Sequence, residues 1–423
     1  MSNKTAKIKQ IKQKLVPKLR FPEFKDVAEW EVVKLGDRNI SDFVKDRTPS
    51  NKLKLDSYIS TENLLPDFAG VTNATKLPST GSFARFKKGD ILISNIRPYL
   101  KKVWHANKEG ASSNDVIVVR AKSKVSDLFL KFLLKNDEFI NYIMKGVEGV
   151  KMPRGEISSI KKYPIALPNP REQQEIADCL SSVDDLIEAQ GQKVDALKKY
   201  KKGLMQQLFP REGETTPRLR FPDFQNAGEW KPSTIGKLGT FYYGKSAPKW
   251  SVSDDAPTPC VRYGELYTKF GTIISKVFSC TNIDPSNLKF SKGGEILIPR
   301  VGEVPQDFAN CCYLPFPNIA IGEMISVYET KEYPIFYTYY FRTMRKQFAQ
   351  VVEGQNVKNL YYTNLEPIAI GKPPFKEQQK IADLLSSIDD LIAAQTKKLK
   401  TLKVHKKGLM QQLFPTLEEL RNE

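Results

Sequence analysis

Residues 172–190 read EQQEIADCLSSVDDLIEAQ, and residues 377–395 read EQQKIADLLSSIDDLIAAQ. Fifteen of the nineteen positions are identical, at an offset of 205. Downstream of both, KKGLMQQLFP recurs unchanged at 201–210 and 406–415. Upstream, PKLRFPEFKDVAEW (17–30) matches PRLRFPDFQNAGEW (217–230) at eight of fourteen positions. The chain contains itself twice, as units 17–210 and 217–415. A period near 200 is too long for a solenoid, which repeats every ~20–50 residues, so the reading is a duplicated domain.

The matched C-terminal stretches predict long helices. Asn169 can cap the first, with Pro170 at the first helical position, where its missing N–H costs nothing. The second starts near Pro373 and Pro374, and each stops at Leu-Phe-Pro because proline cannot continue a helix. From 171 to 208 such a helix runs about 57 Å. Its apolar spacing is 4-3-4-3: Ile176, Leu180, Val183, Ile187, Gln190, Val194, Leu197, Lys201, Leu204, Leu208. The second repeats it as Ile381, Leu385, Ile388, Ile392, Gln395, Leu399, Leu402, Lys406, Leu409, Leu413. Eight of ten positions in each are apolar, the pattern of a coiled-coil seam. Gln190 and Gln395 fall near the seam midpoints. Either each points to solvent at the seam edge, or the two form a buried polar pair that fixes the register of the helices.

The ends of the two units match, while the middles, 41–145 and 241–350, match only in patches. One patch is Gly89-Asp-Ile-Leu-Ile93 against Gly294-Glu-Ile-Leu-Ile298, a turn entering a buried strand. The middles either drifted as loop-rich surface or bind two different things; loops on a rigid scaffold usually carry specificity.

Composition narrows the function. The 423 residues suit two or three domains. Lys and Arg total 66 against 48 acids, a net charge of +18, which points to a polyanionic partner. No apolar run approaches the ~18 residues of a membrane span. The first twenty residues carry seven basic residues and no acid, but no apolar segment follows as in a signal peptide. Five cysteines without a CxxC spacing suit a reducing, cytoplasmic setting and argue against a zinc ribbon. His105 and His405 are the only histidines, so a histidine metal site is excluded and histidine acid–base chemistry is disfavoured.

Catalytic motifs are weak. Gly239 to Ser246 (GTFYYGKS) fits the phosphate-binding pattern GxxxxGK[ST], yet no buried strand precedes it, and Pro248 is poorly placed in the helix that should follow. Lys372-Pro-Pro-Phe375 is a near miss for an amino-methyltransferase motif, because lysine cannot accept the hydrogen bond of the target amine. Glu329-Thr-Lys331 is a three-residue fragment of a nuclease pattern, of a kind that arises by chance. No catalytic residue and no metal or cofactor site is expected.

Basic and polar clusters are more informative. In the first unit they are Lys87, Lys88, Asn95, Arg97, Tyr99, Lys101, Lys102, Ser113, Asn114, Lys151 and Arg154. In the second they are Lys245, Lys249, Arg262, Arg300, Gln355, Asn356, Lys358 and Asn359. Singly these are ordinary surface residues; as a set they are the side chains that reach phosphates and base edges.

Two similar units with divergent middles and matching long helices resemble the specificity subunit of a type I restriction–modification enzyme. LRFPEF…EW, PNPREQQEIADCLSSVDDLI and KKGLMQQLFP look like that family's characteristic segments, and the resemblance covers Pro17 to Pro415. It implies an α/β (α+β) fold: two globular target recognition domains separated by two long antiparallel helices, with pseudo-two-fold symmetry. The divisions are a basic tail (1–16), a first recognition domain (17–167), a central helix (168–210), a second recognition domain (211–370), a distal helix (371–415) and a C-terminal tail (416–423). The implied partners are double-stranded DNA, two methylation subunits and two restriction subunits. Those partners, not this chain, would use S-adenosylmethionine, ATP and Mg2+. If two readers sit one DNA turn apart and each reads three or four base pairs, about six or seven base pairs between them go unread. Different middles imply a split, asymmetric target. The alternative is a stand-alone bipartite DNA-binding regulator or decoy, distinguished by the absence of a co-purifying methyltransferase.

Overall fold

The computed structural model describes residues 15–145, 147–148, 154–416 and 418. Lys151, most of the basic N-terminal tail and most of the C-terminal tail lie outside the described residues. Packing divides the chain into two units, one of residues 1–191 and 398–423 and the other of 192–397. The long helices Pro170–Leu208 and Phe375–Leu413, 39 residues each, are therefore not a body of their own. Each unit takes one half of both.

In the first unit, Ile91–Ser94 is one of the two inner strands of an antiparallel sheet ordered Ser41–Phe43, Val116–Ala121, Ile91–Ser94, Val103–His105. All four residues of Ile91–Ser94 are buried, as a Gly-acid-aliphatic entry predicts. A second sheet runs Arg47–Pro49, Ser82–Phe86, Gly110–Ser112, Tyr58–Ile59. The second unit repeats the first sheet as Gly239–Tyr243, Ile325–Thr330, Glu295–Pro299, Cys312–Leu314. Its other sheet is ordered Ser279–Thr281, Thr258–Val261, Pro317–Ile321, Phe290–Lys292. The parallel pair recurs, Tyr58–Ile59 on Gly110–Ser112 and Thr258–Val261 on Pro317–Ile321. The fourth strand does not: it flanks Ser82–Phe86 in the first unit and Thr258–Val261 in the second, opposite edges of equivalent sheets. The divergent middles thus differ in strand order, not only in loop sequence.

The matched ends are matched because they are bolted together. Asn169 caps its helix as expected, its Oδ1 accepting from the Glu172 N–H at 3.0 Å. Glu172 is fully buried, where an unpaired carboxylate would cost several kcal/mol. Arg20, from the LRF segment, donates to both of its oxygens at 2.7 and 2.8 Å, and the Trp30 indole, from EW, donates at 3.2 Å. Arg220, Trp230 and Glu377 repeat the arrangement at 2.7, 2.8 and 3.4 Å. The next residue, Gln173, donates to the Lys124 and Pro168 carbonyls and accepts from the Ser126 N–H; Gln378 ties Pro373, Glu332 and Tyr333 likewise.

KKGLMQQLFP closes each unit from the other repeat. Met410, Leu413 and Phe414 enter the first core beside Phe129, Ile176 and Leu180, with Phe414 5.5 Å from Phe129. Leu208 and Phe209 enter the second beside Trp230, Phe336, Ile381 and Leu385. As numbers rise from 176 they fall from 414, so within each unit the helix halves run antiparallel. The seam lysines are spent on this contact: Lys406 pairs with Asp184 in the first unit, and Lys201 reaches Asp389 Oδ2 at 2.6 Å in the second. Gln190 is buried and Gln395 half-buried. Among the described residues no helix is long and apolar enough to cross a membrane.

Candidate nucleic-acid interface

The central strand of each unit ends at a polar residue, and side chains converge there. In the first unit that residue is Asn95. Its N–H donates to the Asp115 carbonyl at 2.8 Å, and its carbonyl accepts from the Gly155 N–H at 3.1 Å. This brings Asn95, Ser113, Asn114, Asp115 and Arg154 to one end of the sheet, with Arg154 paired to Asp115 at 3.1 Å. Asn95 Oδ1 and Ser113 Oγ are buried and, among the described residues, have no hydrogen-bond partner. Arg97 and Tyr99 follow on an exposed turn, where Arg97 and Lys101 hold left-handed φ of 52° and 54°, conformations that cost energy in non-glycine residues.

Not every expected residue is available. Lys101 is tied to Asp137 at 2.7 Å and Lys102 to the Thr61 carbonyl at 2.5 Å. Burial and then the nearby Arg97 charge push the Lys102 ammonium below its ordinary pKa. Asn114 accepts from Arg47. Lys87 and Lys88 are exposed but precede Ile91–Ser94, at the end of that strand opposite Asn95. The structure therefore does not bring them into the Asn95 group.

In the second unit the equivalent residue is Arg300. Its N–H donates to the Met324 carbonyl at 3.0 Å, and its carbonyl accepts from the Leu360 N–H at 2.8 Å. Val301–Gly302 pairs with Lys358–Asn359, so the turn holding Gln355 and Asn356 stands beside the strand exit. The Lys358 ammonium is 2.7 Å from the Gly354 carbonyl. Lys245 is exposed and held through its N–H to Ile321 at 2.8 Å; Arg262 is half-buried beside Gly322. Lys245, Arg262, Arg300, Lys358 and Asn359 thus gather at one sheet end. Lys249 is exposed on the following turn beside Trp250, which is 77% exposed.

Sequence reasoning missed Trp250, Arg47, Asp115 and the tyrosines around Arg300. An exposed Trp leaves no periodic signature, and the other contacts join residues far apart in the chain. The phosphate-loop look-alike is a strand: Gly239–Tyr243 pairs with Ile325–Thr330. Gly244 is glycine because a Cβ there would lie 2.2 Å from the Gly322 carbonyl. Lys372 of the methyltransferase near miss pairs with Glu332, and Glu329 with Lys292.

A family model described as "Type I restriction modification DNA specificity domain" matches residues 28–199 and 228–404, one match on each repeat. The chain belongs to the type I restriction–modification DNA specificity family. The MjaVIII specificity subunit of Methanocaldococcus jannaschii is 23% identical, covering 96% of this chain and 95% of its own. The MjaIX specificity subunit of the same organism is 25% identical, covering 91% and 92%. The crystal structure of the S subunit from M. genitalium superposes with a TM-score of 0.57 at 15% identity, over 95% of this chain and all of that one. A chain from a study of assembly and conformational transition in a type I R-M system gives 0.54 at 18% identity, over 91% and 97%. The two structures share the fold. As a family member the chain is a DNA-recognition subunit, not the catalytic one.

Proposed function

We propose that the chain supplies the target sequence to a cytoplasmic complex of two methylation subunits, two restriction subunits and double-stranded DNA. The partners would bind S-adenosylmethionine, ATP and Mg2+. Each unit reads one half-site, and the halves flank an unread spacer of about six or seven base pairs. One observation carries this reading. The same strand exit holds Asn95 in one unit and Arg300 in the other, two side chains of different hydrogen-bonding chemistry. Equivalent positions with different chemistry suit two different half-sites and an asymmetric target.

The test is single-molecule mapping of DNA methylation in cells with and without this chain. A bipartite motif should appear only with it. Exchanging 41–145 for another reader should change one half of the motif and leave the other; a change in both halves at once would refute the division. Binding by the assembled complex should weaken linearly in log affinity against log salt, by about 0.9 per phosphate contacted.

A further inference from the structure

Arg300 is held in a way that surface arginines are not. Its guanidinium lies 4.6 Å from the ring of Tyr243 and 5.6 Å from that of Tyr361. The stack continues behind it: Tyr243 is 4.6 Å from Tyr362, and Tyr362 is parallel to Phe241 at 5.4 Å. Aromatic faces on a guanidinium fix its plane through cation–π attraction and stacking. Among the described residues no carboxylate pairs with it, and its buried Nε has no hydrogen-bond partner. A desolvated donor without an acceptor is costly. Here the cost is borne by a charged group at the end of the central strand.

On the function proposed above, we propose that Arg300 reads a guanine in the half-site bound by the second unit, its guanidinium donating to O6 and N7. A phosphate needs only a nearby positive charge, and Arg262 and the exposed Lys245 stand at the same sheet end to supply one. A planar fork fixed in orientation suits the paired acceptors of guanine in the major groove. The equivalent position in the first unit is Asn95, which cannot make that contact, so the requirement belongs to one half-site.

The test uses the full chain assembled with its methylation subunits. The methylated motif is mapped for the natural chain, Arg300→Gln and Arg300→Lys. The expected result is one G·C position, in the half that depends on the second unit, whose preference falls roughly 10- to 100-fold in both variants. All other positions and the other half-site should hold. A uniform loss of methylation with the motif unchanged would make Arg300 a phosphate contact and overturn the proposal; so would a half-site without a required G·C pair. If a variant fails to assemble, the natural complex decides the matter. Replacing that guanine by 7-deazaguanine, which lacks the N7 acceptor, should weaken its binding, and unchanged binding would overturn the assignment. A natural chain that directs no bipartite motif would instead defeat the function reading.

Discussion

Arg20 and Glu172 stand 152 residues apart in sequence and meet through two parallel hydrogen bonds of 2.7 and 2.8 Å. The bond joins the segment that enters the first reader to the helix that leaves it. Removing one partner strands a buried charge. Arg20→Ala should therefore destabilise the first unit by about 3–5 kcal/mol, whereas Arg20→Met with Glu172→Leu should cost much less. Denaturant unfolding of the single and double variants checks this, and equal losses would contradict it.

Gly244 separates a strand from a nucleotide loop. Gly244→Ala should destabilise the second unit by roughly 2–4 kcal/mol, since the new methyl meets the Gly322 carbonyl at 2.2 Å. Lys245→Ala should leave stability within about 0.5 kcal/mol, because its side chain is exposed. Thermal unfolding of the two variants separates packing from ligand chemistry.

Burial, then the neighbouring Lys131 and Lys406 charges, pull the Lys135 ammonium down to about 8. The unfolded chain holds that proton up to about 10.4, so between these values the unfolded state binds more protons. Stability from this group must rise with pH across that window, and the penalty is fully present below it. Lys135→Met should stabilise the first unit at pH 7 by about 1–2 kcal/mol and flatten the rise between pH 8 and 10. Denaturation midpoints at pH 7, 8.5 and 10 for both chains check the sign.

The Leu19 N–H donates to the Gln412 carbonyl at 2.9 Å, and the Leu219 N–H donates to Gln207 at the same distance. The second contact is spanned by residues 208–218; the first joins the two ends of the chain. Leu15 is buried in the first core and its carbonyl accepts from the Trp30 N–H, as Thr215 does from Trp230, so linking Pro415 to Leu15 with a copy of 211–214, and opening the original 211–214, should give a permuted chain that folds with an unchanged unfolding midpoint. A lost cooperative transition would show that the ends are held differently.

The long helices, their proline stops and the Asn169 cap were legible because period and capping are local. The central strands were legible because four buried aliphatics after Gly-acid admit few readings. Glu172 and Glu377 were visible only as helix residues, since their partners lie about 150 residues away. Lys101 and Lys102 looked like DNA contacts because sequence does not show that Asp137 and the Thr61 carbonyl already hold them. The aromatic stack on Arg300 was hidden likewise: Tyr243 lies far along the chain from the adjacent pair Tyr361 and Tyr362, and they meet only in the fold.

Each unit is closed by a helix end that belongs to the other repeat. A gene product truncated near 210 would keep Phe129, Ile176 and Leu180 but lose Leu413 and Phe414, which cover them. It would still own the sequence that does the covering, in its own Leu208 and Phe209. Two such half-length chains can each lend the other its missing end. The homodimer so formed would carry two identical readers and would recognise a palindrome.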